Sequence, residues 1–181
     1  MEDFDNDGFI DILVAGSDHR FYHNNGNNTF TRINGMFDNN NMESFGIGDL
    51  NHDGAVDIYA SYADIYTTPS NINDVIWLNG ATAGKHFFNL DLEGTTSNLG
   101  AVGARAKIYG NWGVQMREVR TGEGYGAVNT SMLHFGLGDE TEIDSVVISW
   151  PSGLTQVIES PQIDQFLSVK ESTCIAPEAV V

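Results

Sequence analysis

The chain has 181 residues, enough for one good core or two small domains. Its 25 acidic against 8 basic side chains give a net charge of −17, which excludes a phosphate-binding face for nucleic acid and electrostatic docking on anionic lipid. A composition with 20 glycines, 4 prolines and ordinary aromatic content excludes wholesale disorder, and a lone cysteine, Cys174, excludes an internal disulfide or a thiolate metal cluster. No apolar run approaches the length of a membrane span, so membrane insertion is not expected. The start Met1-Glu2-Asp3-Phe4 lacks the basic and then apolar pattern of a signal peptide, which reads as a cytosolic protein or a piece of a longer chain. Residues 1–84 carry 13 acids against 2 bases, and residues 85–172 carry 11 against 6, so the negative charge is densest at the N-terminal side, where cations are the natural partners.

The first stretch, Asp3-Phe4-Asp5-Asn6-Asp7-Gly8-Phe9-Ile10-Asp11, returns 46 residues later as Asp49-Leu50-Asn51-His52-Asp53-Gly54-Ala55-Val56-Asp57. Oxygen-bearing side chains fall at loop positions one, three and five, a glycine at six and an aspartate at nine. A hard cation such as calcium takes six to eight oxygens at roughly 2.3–2.6 Å, which alternate residues of a curling loop can aim at one point. Two calcium sites are expected, one from Asp3, Asp5, Asp7, Asp11 and the Phe9 carbonyl, the other from Asp49, Asn51, Asp53, Asp57 and the Ala55 carbonyl. An EF-hand would need an acid near position twelve and a helix beyond; position twelve is Val14 or Ala60, and alternating apolar residues after each glycine predict strand instead.

Arg20 to Ile33 reads as strand, Asn/Gly turn and strand. The polar stretch Asp38-Asn39-Asn40-Asn41 leads into Ser44-Phe45-Gly46-Ile47-Gly48, the strand that feeds the second loop. Each loop is followed by a strand and then a strand ending in Asn-Gly, at Gly26 and at Gly80. Units of roughly 40–50 residues built of short strands suggest propeller blades. With Phe45-Gly46 and Asn24 to Phe30, the unit resembles the FG-GAP or VCBS repeat, the calcium-bearing blade also seen in integrin α-chain propellers. A closed propeller needs at least four blades, so two make an incomplete one.

After the linker Ala81 to Lys85 the texture changes to half-buried strands around Phe88-Leu90-Leu92, Val102 to Ile108 and Val146-Ile148, with glycine-marked turns, predicting an antiparallel β-sandwich or barrel. Asn98-Leu99-Gly100-Ala101-Val102-Gly103-Ala104-Arg105, Arg117-Glu118-Val119, Gly122-Glu123-Gly124-Tyr125, His134-Phe135-Gly136-Leu137-Gly138, Asp144-Ser145-Val146 and Trp150-Pro151-Ser152-Gly153 resemble the ASPIC/UnbV domain of cartilage acidic protein-like proteins. That resemblance implies a usually exported protein with FG-GAP repeats ahead of this domain, hence an extracellular or envelope location and no established activity. The expected organisation is all-β: calcium-binding repeats over 1–84, the ASPIC/UnbV-like domain over 85–172, and a linker over 173–181.

Other chemistry is weaker. Gly122 to Gly126 lacks the helix and lysine of a phosphate loop, and Ser152 lacks a nucleophile elbow and reads as a turn. His19 and His23, four apart, fall on one strand face nearly two pleats from each other rather than together. Arg105, Arg117, Glu118, Arg120, Glu123 and Tyr125 could hold a sugar or a peptide carboxylate, or they are cross-strand ion pairs on a solvated sheet. The functional expectation is a calcium-binding, non-enzymatic binding or adhesion module for a glycan or extracellular protein. The alternatives are an exported or biosynthetic enzyme using the Arg120/Glu123/Tyr125 region, and a scaffold of an envelope assembly.

Overall fold

In the computed structural model, which describes residues 1–37, 40–63, 71–80, 82 and 84–172, the alternating segments form thirteen strands in four sheets, none closed on itself and without helix. The proposed tail 173–181, Asp38 and Asn39 of the polar stretch, and Ala81 and Ala83 of the linker lie outside the described residues. The chain divides into two units. The first comprises Met1–Asp5, Phe9–Ala83 and Gly122–Asn129; the second comprises Asn6–Gly8, Gly84–Thr121 and Thr130–Val181.

In the first unit, β1 (Ile12–Val14), β2 (Arg20–Asn24) and β3 (Phe30–Ile33) form one antiparallel sheet. Strands β4 (Met42–Gly48), β5 (Asp57–Tyr62) and β6 (Val75–Trp77) form the other. Each loop runs into the first strand after it, and Leu13, Phe21, Ile47, Ile58, Ala60 and Tyr62 from the two sheets share one buried core with Phe4 and Val56. The segment Gly122–Asn129 groups here and not with the residues around it in sequence, because Asn129 Oδ1 accepts a hydrogen bond from the Ile47 N–H at 3.2 Å.

The second unit is a sandwich. Strands β8 (Arg105–Gly110), β9 (Gly113–Glu118), β11 (Ser145–Ser149) and β12 (Thr155–Glu159) make a four-stranded sheet in the order β12-β11-β8-β9. Strand β7 (His86–Glu93) lies between β10 (Leu133–Gly138) and β13 (Gln165–Lys170) in the opposing sheet. The alternation read from the sequence sets the core: Phe88, Leu90, Phe135 and Val169 from one sheet pack with Ala106, Ile108, Val146 and Ile148 from the other. One pairing departs from the antiparallel expectation, since β13 runs parallel to β7. The cause is the connection: β13 arrives from β12 in the other sheet, so no hairpin dictates its direction.

Two acidic residues secure that strand. At its start, Asp164 accepts the Phe87 N–H at 3.1 Å and lies 2.7 Å from His86 Nδ1, while its own N–H donates to the Phe87 carbonyl at 2.7 Å. At its end, Glu171 is 2 % exposed, and one carboxylate oxygen accepts the N–H groups of Thr95, Thr96 and Ser97 at 2.8, 2.8 and 2.6 Å. The other oxygen accepts the hydroxyls of Ser97 and Ser152. Gly94 opens this loop because a Cβ there would lie 2.1 Å from the Asn98 carbonyl oxygen.

The second face of β7 and β10 holds a polar pair. His134, 3 % exposed, faces Asn89 Oδ1 from Nδ1 at 2.7 Å and Asn6 Oδ1 from Nε2 at 2.8 Å. Burial, and then the nearby positive charge of Arg117, push the imidazole down to about 3, so the ring is neutral. A neutral imidazole has one N–H: it donates to one carboxamide, and the other must turn its NH2 to the ring.

Both groups should imprint on acid stability. Burial alone would raise Glu171, but the hydrogen bonds from Ser152, Ser97 and Thr95 outweigh it and hold the carboxyl at about 2, below its ordinary 4.5. The unfolded chain therefore takes up that proton first: the stabilisation is complete above about pH 4.5 and is lost as pH falls toward about 2. His134 is depressed from 6.5, so its contribution is complete above that value and is lost as pH falls toward 3. Melting temperatures measured from neutral pH downward should decline below pH 6.5 for the wild type. His134→Gln should flatten the upper part of that decline and Glu171→Gln the lower part.

Candidate metal centre

The two acidic loops share one backbone. Position four is left-handed in both, with φ of 56° at Asn6 and 59° at His52, and the glycine at position six is left-handed at 91° (Gly8) and 84° (Gly54). Glycine takes that conformation without the Cβ strain that any other residue would meet, which is why the sharp turn carries it.

The ninth aspartate of each loop is a brace. Asp11 accepts the Phe4 N–H at 3.2 Å and the Asn24 N–H at 2.7 Å; Asp57 accepts the Leu50 N–H at 2.9 Å and the Asn79 N–H at 2.8 Å. Each asparagine then returns a side-chain bond. Asn24 Nδ2 donates to the Ile10 carbonyl at 3.0 Å, and Asn79 Nδ2 donates to the Val56 carbonyl at 3.1 Å and to the Phe4 carbonyl at 2.5 Å. Sequence reasoning missed the two asparagines as parts of the site; the Asn-Gly ending noted after each loop contains Asn79 but in the first copy is Asn25-Gly26, one residue beyond Asn24.

The loops differ in what their other carboxylates do. In the first, oxygens of Asp3, Asp5 and Asp7 lie within 4.8 Å of one another, and a second group within the same limit joins Asp5 and Asp11 to His23. Asp3 and Asp11 are fully buried. Two oxygens on one calcium ion stand at most about 5 Å apart, so the first loop fits a divalent ion on the chemistry and spacing of its donors. In the second, Asp49 accepts the N–H groups of Asp53 at 3.2 Å and Gly54 at 2.8 Å. Asp53 accepts the Ala55 N–H at 2.9 Å and the Asn51 Nδ2 at 2.8 Å. This loop has turned its oxygens onto its own donors, and among the described residues its carboxylates form no comparable group.

Burial raises the carboxyls of Asp11 and Asp49 above their ordinary value against the hydrogen bonds they accept, and the neighbouring charge of Asp5 or Asp53 adds to the rise. A bound cation would relieve that cost, and protons compete with it there. A cavity of about 460 Å³ adjoins the first loop. Asp5, Asp11 and His23 form part of its lining, with Phe4, Phe21 and Trp77 among the apolar walls.

Comparison with protein families decides the assignment. The model of the FG-GAP-like repeat matches residues 3–60, a span containing both loops, and that of ASPIC and UnbV matches residues 94–176. The chain joins an FG-GAP-like repeat to an ASPIC and UnbV domain. A search of curated proteins found no match. FG-GAP repeats are generally extracellular or envelope-associated, and no helix among the described residues is long and apolar enough to cross a membrane.

Within the ASPIC and UnbV domain, the polar residues singled out in the sequence take several roles. Arg105 Nε donates to Glu118 Oε2 at 2.7 Å, its directly opposite neighbour across β8 and β9. Arg117 lies over the Phe135 ring at 5.1 Å and donates to Gln115 Oε1. Arg120 is exposed and also belongs to the second unit, whereas Glu123 and Tyr125 group with the first. There Glu123 accepts from Asn129 Nδ2 at 3.1 Å, and Tyr125 is 90 % exposed. His19 meets Phe37 edge-on at 5.8 Å, while His23 turns to Asp5 and Asp11, so the two histidines serve different neighbours.

The asparagine brace should be measurable. Asn24→Ala and Asn79→Ala each strip side-chain donors from part-buried carbonyls and should lower stability by about 1–2 kcal/mol in denaturant titrations.

Proposed function

We propose that the protein is a calcium-dependent, non-enzymatic binding module of the extracellular space or cell envelope, in which the ion holds the hairpin loops of the FG-GAP-like repeat in shape. The observation that carries this reading is the convergence of Asp3, Asp5 and Asp7 in a loop with no lysine or arginine of its own. Asp3, Asp5, Asp7 and Asp11 with the Phe9 carbonyl would hold the first ion, and Asp49, Asn51, Asp53 and Asp57 with the Ala55 carbonyl a second. Calcium supplies two positive charges where like-charged carboxylates otherwise repel, and it tolerates the irregular, many-oxygen shell that a loop of this kind offers. In the second site, an ion would compete with main-chain N–H groups for Asp49 and Asp53. The ordered unit then presents its surface to a glycan or an extracellular protein, and the module acts through order without chemistry of its own.

Calorimetric titration of the chelator-treated protein should show two bound calcium ions, with magnesium binding more weakly because it demands a near-ideal octahedron. Calcium at a hundred times its dissociation constant adds about 2.7 kcal/mol per site, so the melting temperature should rise by on the order of 10 °C. Asp5→Asn and Asp53→Asn should each remove one of the two. Thermal unfolding that is indifferent to both chelator and calcium would overturn the proposal.

A further inference from the structure

The repeat contains its own control for one residue. Asn24 and Asn79 occupy the same place in the two copies, since each donates its N–H to the ninth aspartate and its Nδ2 to the carbonyl of the residue before that aspartate. The residue preceding them is therefore equivalent too. It is Leu78 in the second copy, 63 % exposed, and His23 in the first. His23 sits at the end of β2, with Nδ1 at 3.3 Å from Asp11 Oδ1 and 3.7 Å from Asp5 Oδ2. Two nitrogen or oxygen donors bound tetrahedrally at 2.0–2.2 Å stand about 3.3–3.6 Å apart, close to the spacing seen here. A carboxylate oxygen has two lone pairs, so the hydrogen bond from Asn24 leaves Asp11 Oδ1 able to bind further. The same three side chains line the 460 Å³ cavity, which gives an ion held by them room for a further ligand.

We propose that His23, with Asp5 and Asp11, makes the first loop a mixed nitrogen and oxygen site that takes a borderline divalent metal of the zinc class, whereas the second loop, with leucine in that place, remains an oxygen-only site. This rests on reading the first loop as a cation site. Imidazole suits zinc, cobalt and nickel and adds little for calcium, so this side chain sets a selectivity that the second loop, with leucine there, does not share.

The test uses the full chain, chelator-treated, in a Cys174→Ser background so that the thiol takes no metal. Zinc, cobalt and calcium are titrated separately into that protein, into His23→Leu, which copies the second loop, and into His23→Gln. Zinc should bind the parent, with a visible cobalt band of nitrogen-ligated character, and both variants should bind zinc at least about tenfold more weakly while keeping calcium affinity within about threefold. In the parent, zinc should also shift the ring nitrogens of His23 in long-range proton–nitrogen spectra, a readout independent of any variant. Zinc affinity unchanged in both variants, or a His23 ring unmoved by zinc, overturns the proposal and leaves His23 as merely a neighbour of Asp11. Calcium binding without zinc binding refutes this inference alone. Zinc binding that depends on His23 without calcium binding refutes the calcium reading alone.

Discussion

Main-chain N–H groups, more than lysines or arginines, hold the structural carboxylates of this protein. Asp11 and Asp57 each accept two of them, Asp49 two more, Asp164 one, and Glu171 three on a single oxygen. With 25 acids against 8 bases, the chain has too few cations to pair most of its acids. An amide donor carries no charge and costs no side-chain entropy, and turns and strand ends leave such donors unmatched. Placing a carboxylate at each of those points satisfies both partners and ties segments that the sheet ladders do not join. The parallel strand β13 depends on this, since acidic residues secure both its start and its end.

Carboxylate spacing separates the two acidic loops. In the second copy Asp49 and Asp53 accept N–H groups of their own loop. In the first, the oxygens of Asp3, Asp5 and Asp7 lie within 4.8 Å of one another and Asp11 is buried. One sequence pattern thus occurs with two spacings of its carboxylates, and the side chain at the end of the following strand, His23 or Leu78, distinguishes their surroundings.

Much of the architecture was legible because burial on a sheet imposes a period of two. Phe88, Leu90 and Leu92, or Ala106 and Ile108, could only be one face of a strand, and both sets are core. The loop glycines were equally readable, since position six needs a left-handed backbone and Gly8 and Gly54 have it. The parallel direction of β13 was not readable, because Gln165 to Lys170 has the same alternation whichever way its neighbour runs. Nor was the role of Glu171, near the end of the second domain; its partners Thr95 to Ser97 lie more than seventy positions away. The place of Gly122–Asn129 followed from a contact between Asn129 and Ile47 that no local pattern encodes.

By itself the sequence determined the local terms: which residues alternate, where the chain turns, and that nine-residue acidic loops recur at a spacing of 46. Those follow from backbone sterics and from the pull of apolar side chains out of water, and both act over a few residues. Only the tertiary structure decided which carboxylates meet a donor and which meet one another. That depends on strands distant in sequence, with Asn24 and Asn79 brought to the ninth aspartates and His23 to Asp5, at distances of a few ångströms where hydrogen bonding and charge act.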